Sequence, residues 1–96
     1  MKDRMTRGPM TADRAATLAL EALAFLAGSE PAMDRFVDLT GASRDSLRER
    51  ADERDFLGSV LDFLLSDEQL LIAFCDGAEI DVRAVHMARH VLSGGV

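Results

Sequence analysis

A glycine or a cap-forming residue interrupts the chain at short intervals from Thr11 to Ser93, and between interruptions apolar residues recur at helical spacing. Such a chain must fold as short helices packed on one another, because each is too short to hold its shape alone. Thr11 is placed to cap a helix running to Ala27, with Gly28 ending it in the left-handed conformation. Ser29 opens a second, which tolerates Pro31 in its first turn and stops at Gly41. Ser43 caps a third, short helix through Ala51, and Asp52 a fourth from Glu53 to Leu65. Ser66 with Gln69 forms a capping box for a fifth helix that ends at Gly77. Asp81 caps a sixth, where Ile80 and Val85 have the spacing of a hydrophobic staple, and this helix frays near Ser93 before Gly94 and Gly95. No segment alternates apolar and polar residues strongly enough to be a strand.

Shifted by 38 residues, the chain matches itself without a gap: Leu23 falls on Leu61, Phe25 on Phe63, Leu26 on Leu64, Glu30 on Glu68, Phe36 on Phe74 and Asp38 on Asp76. The caps follow, Ser29 onto Asp67 and Ser43 onto Asp81. The pattern predicts an all-α, compact bundle of six short helices in two pseudo-repeated three-helix units. The first and fourth helices carry only narrow polar stripes, Arg14, Thr17 and Glu21 in one and Asp55, Ser59 and Asp62 in the other. A helix apolar around most of its circumference is covered on several sides, so these two are expected at the centre. The predicted core includes Leu23, Phe25, Leu26, Phe36, Leu47, Leu61, Phe63, Leu64, Phe74 and Val85.

With 96 residues there is room for one such core. Residues 1–10 are read as a basic, disordered N-terminal arm and 11–96 as a single helical domain. Lys2, Arg4 and Arg7 against Asp3 leave the arm at +2, and since the whole chain is −6, the remainder carries −8. A body so acidic disfavours nucleic acid and anionic membranes, which are polyanions. The apolar run from Ala15 to Ala27 is shorter than the ~20 residues of a membrane span, and Asp13 and Glu21 spoil it as a secretion signal. One cysteine permits no internal disulfide, which fits a reducing, cytoplasmic setting.

Few residues suggest chemistry. His86 and His90, four apart, project from one helix face, yet a zinc site needs three or four ligands and no third histidine exists. They read as solvated histidines beside Arg83. Cys75, inside an apolar run, reads as an inert buried thiol. Ser29, Ser43 and Ser66 stand at cap positions, and neither a nucleophile elbow nor a phosphate loop is present. No enzymatic activity, cofactor or metal is expected. The segment from Phe36 to Arg50 looks like a helix-turn-helix whose second helix would offer Arg44 and Arg48 to DNA, but Asp45 and Glu49 accompany them.

The run Leu61 to Glu68, the stretch Phe36 to Leu47 and the block Ala22 to Leu26 together resemble a family of short bacterial all-helical proteins catalogued only as a domain of unknown function. The resemblance spans Ala15 to Leu92. It implies a cytoplasmic, helical, single-domain protein and carries no activity or catalytic residue.

The expectation for function is therefore a protein-interaction module acting through helix faces, on a protein partner or on itself as a homodimer, with Arg83, His86, Arg89 and His90 as candidate contact residues. The alternative is the DNA-binding regulator using Arg44 and Arg48.

Overall fold

A computed structural model describes residues 10–94. Of the arm expected over residues 1–10, residues 1–9 lie outside the described residues, as does Gly95, whereas Met10 is half-buried against the core. Six helices form: α1 (Ala12–Ala27), α2 (Glu30–Thr40), α3 (Arg44–Arg50), α4 (Arg54–Leu65), α5 (Glu68–Ala78) and α6 (Val82–Leu92), with no strand among the described residues.

Local chemistry sets most boundaries as expected. Thr11 accepts a hydrogen bond from the Arg14 amide, and Ser43 and Ser46 cap reciprocally, each hydroxyl accepting the other's backbone N–H. Asp81 accepts from the Arg83 amide at 2.8 Å. Gly41 ends α2 at φ 73°, in the left-handed region that a side chain makes costly.

Four boundaries differ from expectation. Gly28 stays right-handed at φ −81°, because its amide continues the helical pattern onto Ala24 and Phe25 while α2 starts almost at once. Asp52 lies within a turn closed by the Glu53 amide on the Arg50 carbonyl, so Glu53 takes the cap position of α4. Ser66 donates its hydroxyl back to the Phe63 carbonyl at 2.7 Å, leaving Asp67 to cap α5 through the Gln69 and Leu70 amides. Gly77 does not stop α5. Glu79 takes the left-handed conformation instead, at φ 58°, and the Ile80 and Glu79 amides bond back to the Cys75 and Asp76 carbonyls. That Schellman closure turns Ile80 into the core, which a stop at Gly77 could not do.

The centre is a three-helix contact: α1, α4 and α6 pack most extensively on one another. Expectation had only α1 and α4 there. Leu18, Leu26, Val60, Leu61, Leu64 and Val85 are fully enclosed, and α2 and α5 are pinned to this centre by aromatic contacts. Phe36 of α2 meets Phe56 and Phe63 of α4 edge-on at 5.7 and 5.4 Å, and Phe25 of α1 meets Phe74 of α5 at 5.6 Å. Leu23, Phe25 and Leu47, expected in the core, are only partly buried against it, because each lies on the flank of its helix next to solvent.

The 38-residue shift carries α2 onto α5 end to end, Gly41 onto Glu79, and the Phe25–Phe74 contact onto Phe63–Phe36. It fails at the third helices. α6 buries Ala84, Val85, Ala88 and Leu92, whereas α3 buries nothing. Two equivalent three-helix units are therefore not what the structure contains.

Candidate functional site

A concavity lies where α2 packs on α4. The inward stripe of α2 is Ala32, Met33 and Phe36, and Leu39, one turn beyond Phe36 on the same side, is 73% exposed. Beside Leu39 runs an open groove of two adjoining depressions, about 360 and 240 Å³. Phe63 forms the apolar floor of both, with Leu39 as one wall and Ser66 at the end. Asp38, Asp62, Asp67 and Arg35 stand around it.

The rim is organised by ion pairs. The Arg35 guanidinium lies 5.4 Å over the Phe63 ring and reaches Asp67 at 2.9 Å. Arg35 and the α5 amides together hold the Asp67 carboxyl below the usual aspartate range, Arg35 contributing most. Asp62 pairs with Arg89 of α6, which raises the arginine's already high pKa. Asp38, one turn along from Arg35, is exposed. An apolar floor open along its length, with carboxylates above it, suits an apolar side chain carried on a larger partner better than an enclosed small molecule.

The residues singled out from the sequence are distributed elsewhere. Arg83, His86 and His90 are exposed on the outer face of α6, and Arg83 reaches Asp81 at 3.5 Å. Arg89 does not join them, being turned toward Asp62. Among the described residues no three His, Cys, Asp or Glu side chains gather where they could share an ion. Arg44 is engaged by Asp34 at 2.7 Å and Glu30 at 3.2 Å, and Arg48 is exposed on the seven-residue α3. Cys75 is buried, and burial first, then Asp76 and Asp81, pushes its thiol pKa up. That makes it a poor nucleophile.

The groove itself was not foreseen. Phe63 carries only a core signal, and Leu39, spaced to continue the Ala32–Phe36 stripe, gives no sign in the sequence that it lies outside.

A family model described as "Protein of unknown function (DUF3572)" matches residues 12–95. No curated protein and no solved structure matches the chain. No helix among the described residues is long and apolar enough to cross a membrane.

Proposed function

We propose that the chain, which belongs to the DUF3572 family, is a non-catalytic interaction module whose α2–α4 groove receives a basic amphipathic helix from a partner protein. The observation that carries this reading is Leu39, nearly three-quarters exposed beside a groove floored by Phe63. Single exposed leucines are ordinary, but one forming the wall of an aromatic-floored groove is placed to be covered.

Charge selects the occupant. Of the three aspartates around the groove Arg35 neutralises Asp67 and Arg89 neutralises Asp62, which leaves Asp38 to meet a cation, and the chain as a whole is −6. A lysine- or arginine-bearing helix would be drawn in, with an apolar side chain over Phe63 and a cation near Asp38. A second copy would bring two acidic bodies together, so a different, basic protein is the better fit than a homodimer.

The test uses a labelled amphipathic Leu/Lys helical peptide and its Leu/Glu counterpart, read by fluorescence anisotropy with the full chain. The Leu/Lys peptide should bind, Leu39→Asp should weaken it at least tenfold, and Asp38→Asn should weaken it severalfold. Equal binding of both peptides, or indifference to Leu39→Asp, overturns the reading. A concentration-dependent dimer in sedimentation that Leu39→Asp abolishes would replace the basic partner with a second copy. The DNA-binding alternative draws no support from α3, where Arg44 is already held by α2 carboxylates. Gel retardation at low salt, lost in Arg48→Ala, would reinstate it.

A further inference from the structure

The outer face of α6 has a composition that packing does not explain. Ala84, Val85, Ala88 and Leu92 hold the helix against the core, and the opposite side presents His86, Met87 and His90 to solvent. Met87 is 53% exposed, so its thioether contributes little to the interior. It is flanked in sequence by His86 and stands one turn before His90.

Helix geometry makes His90 the neighbour of both other donors. His86 and His90 are an i, i+4 pair and Met87 and His90 an i, i+3 pair, spacings at which Cβ atoms lie about 5–6 Å apart. Side chains on a helix lean toward its N-terminus, so the His90 ring bends back over the turn that carries His86 and Met87. The neighbouring arginines are not left facing the site uncompensated: Arg83 reaches Asp81, and Arg89 is drawn to Asp62.

We infer that His86, Met87 and His90 form a surface site for monovalent copper. The donor set decides the ion. Two imidazole nitrogens and a thioether sulfur are borderline-to-soft ligands, which suit a soft ion content with three donors. Magnesium and calcium seek oxygen ligands, which this triad lacks. Zinc holds best with four donors and gains little from a thioether. Two histidines alone would be a weak chelate for any divalent transition ion, and Met87 is what gives the site a preference. The site is open on its solvent side, so the ion would exchange readily with an external chelator.

The experiment is competition between the full-length reduced chain and bicinchoninate for Cu(I), with Ni²⁺ titration as the imidazole-only comparison. One Cu(I) per chain is expected. His86→Ala and His90→Ala should each weaken it at least tenfold, and Cys75→Ser should leave it unchanged. Met87→Leu keeps the apolar volume and should weaken Cu(I) about tenfold while leaving the Ni²⁺ affinity alone. Circular dichroism checks that these exposed substitutions leave the helices intact. Absence of Cu(I) binding at micromolar protein, or an affinity unmoved in the His86→Ala/His90→Ala chain, overturns the inference. A Met87→Leu effect equal for both ions removes the thioether from the site and overturns the assignment to copper.

Discussion

α3 and α6 begin at equivalent places, with caps Ser43 and Asp81 standing 38 residues apart, and end in opposite environments. One lies on the surface with no buried residue, and the other completes the central contact with α1 and α4. The inward positions account for it. Where α6 has Ala84, Val85 and Ala88, α3 has Ser46, Leu47 and Arg50. Arg50 cannot enter a core uncompensated. It lies instead over the Phe56 ring at 4.8 Å and pairs with Glu53 at 3.4 Å. Cap chemistry thus fixes where a helix starts, while a handful of inward side chains fixes where it goes.

The sharpest way to break this comparison is to give α6 the α3 residue. Ala88 is fully buried, so Ala88→Arg should cost roughly 3 kcal/mol or more in urea denaturation, whereas Arg50→Ala should cost at most about 1 kcal/mol. Equal effects would mean that the two helices are not distinguished by burial. Next, Val85→Ala should lose about 2 kcal/mol and Leu47→Ala only about 1 kcal/mol, although leucine surrenders more atoms, because Val85 is enclosed and Leu47 is not.

Helix existence was legible because caps are local. Thr11, Ser43 and Asp81 each need only their own next few amides, which any reader of the sequence can count. Ser66 against Asp67, and Gly77 against Glu79, could not be decided that way. Ser66 and Asp67 both satisfy the local rule and Gly77 satisfies it better than Glu79, so the choice falls to distant demands such as the burial of Ile80. The groove was hidden for a similar reason. Hydrophobic period says that Phe36 and Phe63 face inward, but not that α2 crosses α4 at an offset leaving Leu39 outside. The aligned residues likewise match α2 to α5 without showing that Arg50 would exclude α3 from the role α6 plays.

Smaller effects refine the contrast at the helix ends. Gly41 and Glu79 share the left-handed conformation under the 38-residue shift. Gly41→Ala should cost about 1 kcal/mol, and Glu79→Gly should be neutral or gain up to about 1 kcal/mol, as the loss of a strained side chain offsets greater freedom in the unfolded chain. Thermal denaturation of the two variants, with shifts of opposite sign, would establish the equivalence. The caps differ in acid. Asp81 is held below the ordinary aspartate range chiefly by the Arg83 amide, so its contribution is complete above the unfolded value and disappears as pH falls through the lowered folded one. Ser43 does not titrate there. Amide exchange in the first turn of α6 should therefore quicken below that range, while α3 shows no matching change from its cap.

The contact between α1 and α6 also has a consequence in time. During synthesis the first of these helices leaves the ribosome with its greasiest surface lacking a major neighbour, and that neighbour follows only after α2 to α5. Assembly of the centre must wait for α6, and a product truncated before Val82 would carry part of the apolar surface of α1 uncovered, a natural target for chaperones and proteases.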